Sequence, residues 1–219
     1  MKSVLVTGGT VRIGAAVADY MRGLGWRVLV SSHREVAGAD ITADFSDPSG
    51  AVRCYSEAMR ILGGRPPDVI VNNAALFTGD PAALEAVNFT APVKLTILMA
   101  GREGVGRGAV VNILDSRVLG PARAGSRAAD EADPYRRTKM SLLEYTFSAA
   151  AMFADALRVN AVAPGPVLAP LGVHEFAGEM PLGRPSAEDV AKAVAFLSEA
   201  QSTTGCVIPV DGGQSASWS

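Results

Sequence analysis

Cysteine and histidine are scarce in this chain, with two of each in 219 residues. Cys54 and Cys206 lie far apart with no CxxC pair, which excludes a disulfide framework or a thiolate zinc site; they read as ordinary thiols of a reducing compartment. His33 and His174 have no third ligand at suitable spacing, so no metal site is expected. A strong excess of one charge is also missing. The formal net charge of −2 gives no footprint for nucleic acid or an anionic membrane. No apolar run reads as a membrane span, and no charged-then-apolar segment opens the chain. A cytoplasmic location is the resulting expectation. Repeats, linkers and low-complexity stretches are absent too, so residues 1–219 are expected to form one domain. With 48% hydrophobic and 19% charged residues, that domain has ample material for a core.

Short apolar strands alternating with helical segments are what the sequence does contain. Ser3–Val6 is a β-branched run that ends in Thr7-Gly8-Gly9-Thr10, and an amphipathic pattern starts at Ile13. Strand, glycine turn and helix together form a phosphate cradle: glycine lets the backbone approach a pyrophosphate, and the first N–H groups of the helix point at it. Further strands are expected at Trp26–Ser32, Asp40–Asp44, Asp68–Val71, Ala109–Leu114, Leu157–Val162 and Gly205–Val210. Between them lie helices over about 49–62, 82–100, 134–154 and from Ser186 onward. Pro92 should kink the second of these. Strands apolar on both faces imply an α/β fold, a single-domain, doubly wound, Rossmann-like parallel sheet with helices on both sides.

In such sheets ligands bind beyond the carboxyl ends of the strands. Those ends are Thr7–Gly14, Ser31–Arg34, Asp44, Asn72–Phe77, Asp115–Ser116 and Pro164–Val167. Nearly every residue with useful chemistry falls there or on the helix from Pro134. On that helix Tyr135 and Lys139 are four apart and share a face. An ammonium beside a phenol favours the phenolate, which would draw the phenol toward neutral pH and make Tyr135 a general acid or base. The alternative at this point is an exposed tyrosine beside a solvated lysine.

Five segments occur in one order: TGxxxxxG at Thr7–Gly14, NNAA at Asn72–Ala75, YxxxK at Tyr135–Lys139, VNAVAPG at Val159–Gly165 and VDGG at Val210–Gly213. Together they resemble the short-chain dehydrogenase/reductase family over essentially the whole chain. The resemblance implies a nicotinamide cofactor held by Gly8, Arg12, Ile13, Gly14, Ser32, His33, Arg34, Asp44, Phe45, Asn73, Ala74, Lys139, Pro164 and Gly165. It also implies Tyr135 as proton donor, Lys139 on the nicotinamide ribose, and Asn88 in a supporting proton relay. A homodimer or homotetramer built on the long helices is expected on the same ground. At the end of the second strand, Ser31-Ser32-His33-Arg34 has no acid to receive a ribose 2′-hydroxyl. Arg34, helped by Arg12 and Ser32, suits a 2′-phosphate, so NADPH is the expected cofactor. Glu35 would oppose this only if it turned inward.

Three departures from the family pattern narrow the substrate. Arg12 replaces the middle glycine of the turn, Asp115 stands where the family has serine, and Phe77 follows NNAA. This combination resembles the pteridine reductase group, in which an aromatic and the nicotinamide sandwich a flat pterin while aspartate and tyrosine handle protons. Phe77, Asp115, Tyr135 and Arg12 are then the substrate contacts. Each has a plainer alternative: Phe77 as core filler, Asp115 as a turn cap with Ser116 in the serine's role, and Arg12 paired with a surface carboxylate. Asp115 and Tyr135 are also twenty positions apart, more than the family pattern, and the extra residues fall in Gly120–Asp133. Loop 163–185 matches the family's substrate-covering segment but is short. The leading expectation is a reductase of a pterin-like heterocycle acting on a small molecule. A 3-oxoacyl-thioester reductase is the enzymatic alternative, and a non-catalytic NADP-sensing protein is the alternative from another class.

Overall fold

The computed structural model describes residues 1–101, 106–120, 133–167 and 180–218. Seven parallel strands form one sheet in the order β3-β2-β1-β4-β5-β6-β7. They are β1 (Ser3–Thr7), β2 (Arg27–Ser32), β3 (Ile41–Thr42), β4 (Val69–Asn72), β5 (Gly108–Ile113), β6 (Leu157–Pro164) and β7 (Val207–Val210). The helices are α1 (Arg12–Gly23), α2 (Gly50–Ile61), α3 (Pro81–Glu85), α4 (Ala91–Ala100), α5 (Pro134–Met152) and α6 (Ala187–Glu199). This is the expected doubly wound architecture. The order reverses at β1, which has β2 on one side and β4 on the other, and the crevice above that point receives ligands in such sheets.

Alternation along β1 shows why the strand is apolar on every residue. Leu5 packs with Leu29, Ile70 and Val110 against Cys54 and Ala58 of α2 and Leu95 and Met99 of α4. Val4 and Val6 turn the other way, onto Val17 and Met21 of α1 and Val190 and Val194 of α6. Successive side chains point to opposite faces, so a strand covered by helices on both sides needs hydrophobic residues at both parities. Helix α6 begins with a full capping box: Ser186 Oγ accepts from the Asp189 N–H, and the Asp189 carboxylate accepts from the Ser186 N–H.

Three expectations change. The strand expected over Asp40–Asp44 shrinks to Ile41–Thr42, because Asp40 turns back to accept the Val30 N–H and Asp44 bonds Ser46 in a tight turn. The expected kink at Pro92 takes the form of a π turn over Ala86–Thr90 that joins α3 to α4. Proline has no N–H for the carbonyl four residues back, and the widened turn just before it absorbs that mismatch. The same continuous helix corrects the reading that no apolar run reaches spanning length. Pro81–Ala100 is long and apolar enough by length and composition. In the fold, however, its Leu84, Val87, Ala91, Leu95 and Met99 are buried in the core.

Candidate active site

The turns after β1 and β4 are lashed together by one hydroxyl and one amide. Thr7 Oγ1 donates to the Val71 carbonyl at 3.3 Å and accepts from the Asn73 and Ala74 N–H groups at 2.9 and 3.1 Å. The Asn73 amide donates to the carbonyls of Thr7 and Gly8 at 2.9 and 3.0 Å. A Cβ on Gly14 would lie 2.3 Å from the Gly8 carbonyl and 2.5 Å from the Asn73 amide, so only glycine lets α1 start this close to the strand end. Val11 offers no side-chain cap, which leaves the N–H groups of the first turn of α1 open for an anion. Arg12 replaces the family's glycine yet keeps a left-handed backbone, φ 54°. Holding a non-glycine residue there costs on the order of 1–2 kcal/mol.

Among the described residues, one continuous cavity of about 1370 Å³ runs above the strand ends. All but one of the expected site residues line it, namely Gly8, Arg12, Ile13, Gly14, Ser32, His33, Arg34, Asp44, Phe45, Asn73, Ala74, Phe77, Asp115, Tyr135, Lys139, Pro164 and Gly165. Glu35 is not among the lining residues. At one end Ser32, His33 and Arg34 meet Asp44, whose carboxyl is held below its usual range by hydrogen bonds from the Ser46 side chain and N–H. The dimensions and the glycine-lined start fit a dinucleotide, with Arg34 free to reach a 2′-phosphate.

The exception is Asn88. Its side chain is fully buried behind the wall and does not line the cavity. Both ends of its amide are engaged by the Leu76 peptide, at 2.8 Å each, and its nitrogen also meets Thr138 Oγ1 at 3.1 Å. What the Asn88 side chain does is hold the segment that carries Phe77.

At the other end the Tyr135 hydroxyl donates to Asp115 Oδ2 at 3.2 Å. Ser116 also lines the cavity, is buried, and donates to Gln214 Oε1 at 3.0 Å, whereas Asp115 is the residue hydrogen-bonded to the phenol. Phe77 is 58% exposed, which removes it from the core, and it stacks on Tyr135 with ring centroids 4.8 Å apart. Arg12 lies 5.9 Å over the Phe77 ring. Lys139 shares the face of Tyr135, its Nζ 5.9 Å from the ring centroid, and donates to the Ile113 carbonyl at 2.7 Å.

The expected acidification of the phenol by lysine is not what this arrangement gives. Burial pushes the Tyr135 phenol well above its ordinary value, and the neighbouring Asp115 charge pushes it further; Arg117 opposes them. Burial likewise draws the Lys139 ammonium down to about 8, with Asp115 opposing. Tyr135 is therefore a neutral donor held against a carboxylate.

Sequence reasoning missed Arg117, Asp133 and Gln214. Arg117 lies over the Tyr135 ring at 5.1 Å, Asp133 caps α5 by accepting the Tyr135 N–H at 2.9 Å, and Gln214 reaches the cavity from the turn after β7. The available signals were Asp133 immediately before Pro134, a capping residue before a proline at the helix start, and Gln214 directly after VDGG. Residues 121–132 and 168–179, in the polar loop and the covering segment, lie outside the described residues, as does His174. Among the described residues no cluster of His, Cys, Asp or Glu could hold a metal ion.

The short-chain dehydrogenase family model described as Enoyl-(Acyl carrier protein) reductase matches residues 12–215. A putative ketoacyl reductase of the granaticin polyketide synthase of Streptomyces violaceoruber is 33% identical, covering 95% of this chain and 94% of its own. Pteridine reductase 1 of Leishmania tarentolae is 29% identical, covering 96% and 95%. Among solved structures, the FolM alternative dihydrofolate reductase 1 of Brucella canis, complexed with NADP, superposes with a TM-score of 0.83 at 29% identity over 99% of this chain and 95% of that one. The chain belongs to the short-chain dehydrogenase/reductase family of oxidoreductases.

Proposed function

We propose that this protein is an NADPH-dependent reductase of a pterin-like heterocycle, a dihydropteridine or dihydrofolate C=N, with Tyr135 as proton donor. The observation that carries this reading is the Asp115 carboxylate in hydrogen-bond reach of the Tyr135 hydroxyl, with the exposed ring of Phe77 stacked beside them. A pterin is flat and rich in ring nitrogens, so it needs an aromatic plate and an acceptor for its N–H groups, and unmet polar groups in a closed site are costly. The dihydrofolate reductase and pteridine reductase among the relatives support the same substrate class.

Gly8, Gly14 and the open start of α1 would hold the pyrophosphate in a turn that Asn73 braces, and Ser32 and Arg34 would take the 2′-phosphate. When bound there, NADPH would supply the hydride. Tyr135 delivers the proton to the substrate nitrogen, and Lys139 and Arg117 offset the phenolate that remains. Asp115 accepts from the phenol or from a substrate N–H. The 1–219 unit is proposed to act as one reductase domain in a homodimer or homotetramer. Exposed Ile97, Phe147 and Met152 on α4 and α5 support the assembly, and the free thiols Cys54 and Cys206 support a cytoplasmic setting.

A 3-oxoacyl-thioester reductase is the second reading, favoured by the 33% identity to a putative ketoacyl reductase. Oxidation of NADPH, followed by absorbance with a dihydropteridine, dihydrofolate and a 3-oxoacyl thioester, separates the two. Turnover of the thioester with none of the pteridines hands the function to the second reading.

A further inference from the structure

Arg117 meets Asp115, Asp133 and the Tyr135 ring at once. Its own N–H donates to Asp115 Oδ1 at 2.9 Å, and its side-chain Nε approaches the same oxygen at 3.4 Å. Nη1 approaches Asp133 Oδ2 at 3.3 Å, while the other oxygen of Asp133 caps the Tyr135 N–H. The guanidinium carbon lies 5.1 Å over the Tyr135 ring. The Arg117 carbonyl accepts from Arg136 Nε at 3.1 Å, which pins the short turn Ser116–Val118 to the first turn of α5.

Asp115 and Tyr135 arrive from different elements, a loop after β5 and the start of α5, twenty residues apart in sequence. Asp115 spends Oδ1 on the turn and on Arg117, which leaves Oδ2 facing the phenol. A carboxylate on its own could rotate and offer either oxygen, or drift to solvent. Two contacts on one oxygen, from the backbone and side chain of a single residue, oppose that rotation. The pairs are partly solvated, with 44% of the Arg117 side chain exposed, so their value lies in geometry more than in stability.

We infer that Arg117 is a positioning residue for proton transfer: it ties Asp115 to the Asp133 cap so that Asp115 Oδ2 and the Tyr135 hydroxyl stay aligned toward the substrate. This rests on the reading of Tyr135 as proton donor but not on the choice of pterin, since either substrate class takes a proton there.

The test uses the full chain with NADPH and both a dihydropteridine and a 3-oxoacyl thioester. Arg117→Gln keeps hydrogen-bonding capacity without charge, and Arg117→Lys keeps charge without the planar fork. With whichever substrate turns over, Arg117→Gln should lower kcat by roughly 10–100-fold, the scale of a misplaced reacting group. The KM and the NADPH dissociation constant should move by less than about threefold, well inside that loss. The solvent deuterium isotope effect on kcat should rise, because proton delivery becomes slower than the other steps. Arg117→Lys should recover part of kcat.

Should Arg117→Gln retain kcat with an unchanged isotope effect while Tyr135→Phe collapses, Arg117 is an ordinary surface cation and the inference is overturned. Equal losses in both variants, accompanied by lower thermal stability and weaker NADPH binding, overturn it in favour of a purely structural role. A Tyr135→Phe variant that keeps its activity overturns the proton-donor reading itself, and with it the pair that Arg117 is said to hold.

Discussion

At the glycine end of the cavity the surface is made of backbone and small residues: Gly8 and Gly14 in close approach, Thr7 and Asn73 bonding main-chain groups, and an uncapped helix start. At the tyrosine end it is made of charged and aromatic side chains, with Asp115, Arg117, Asp133, Lys139, Tyr135 and Phe77 within reach of one another. The difference separates what is generic from what is particular. A pyrophosphate needs N–H groups and room, which any backbone of the right shape supplies. A reacting ring needs a proton and a plate at defined positions, which only side chains supply. Changes at the two ends should therefore separate cofactor affinity from turnover.

Tyr135→Phe should give the cleanest separation and the largest effect. The hydroxyl touches Asp115 and nothing at the glycine end, so NADPH affinity should stay close to wild type. Turnover should fall by roughly 10²–10⁴, the usual worth of a general acid. Retention of more than about a third of the activity, far outside that range, would show that another group donates the proton.

Lys139 sharpens the comparison through pH. Its ammonium is buried and drawn from 10.5 down to about 8, whereas in the unfolded chain it stays charged to about 10.5. Between these values the unfolded state binds the extra proton, so stability linked to Lys139 rises with pH through that window and is lowest below about 8. The swing amounts to about 3 kcal/mol at most. Cys54, raised to about 11 by burial, acts in the opposite sense at higher pH, so the wild type must be compared with Lys139→Met. In denaturant titrations from pH 7 upward, the variant should lose the rise. If both proteins follow the same pH profile, Lys139 carries no buried charge. Activity should run the other way and decline above about pH 8 as the ammonium neutralises.

Arg34→Ala tests the far end of the cofactor cavity. Removing a charge-assisted pair to the 2′-phosphate costs about 1.5–3 kcal/mol, or roughly 10–100-fold in NADPH affinity, while NADH should be little changed. Calorimetric titration of both nucleotides reads this directly. A preference for NADPH that survives the substitution would move the phosphate contact to Arg12 or Ser32.

The architecture was legible because every strand but the short β3 is an apolar run set off by turns, so the order of elements follows from pattern alone. The glycine cradle was legible for the same reason: Thr7–Gly14 is local in sequence. The tyrosine end was only half visible. Tyr135 and Lys139 share a helix face, and Asp115 was marked by its departure from the family pattern. Arg117 gave no such sign and Asp133 signalled only a helix cap, because the contact that joins them spans sixteen residues and no periodicity encodes it. The pKa of Tyr135 was misjudged for a related reason. The sequence shows lysine four residues away but not the burial, or the carboxylate on the hydroxyl, that outweigh it.

Phe77→Ala should have the smallest effect and bears most directly on the substrate. In this structure the ring lies 4.8 Å from Tyr135, which leaves no room for a flat molecule between them, since two stacked contacts need roughly 7 Å at the usual 3.5–4.0 Å carbon separation. A pterin bound as proposed would displace Phe77 from Tyr135 and take its ring as a plate. With 58% of Phe77 exposed, that movement disturbs no core packing. The net gain is the stacking to substrate less the stacking to Tyr135, both on the order of 0.5–1.5 kcal/mol. The pterin KM should then rise by about two- to tenfold, with the NADPH dissociation constant unchanged. The KM of a 3-oxoacyl thioester, which has no ring to stack, should hold or fall once the side chain no longer covers Tyr135. An unchanged pterin KM alongside a lower thioester KM would reverse the substrate assignment and make Phe77 a cover over the tyrosine.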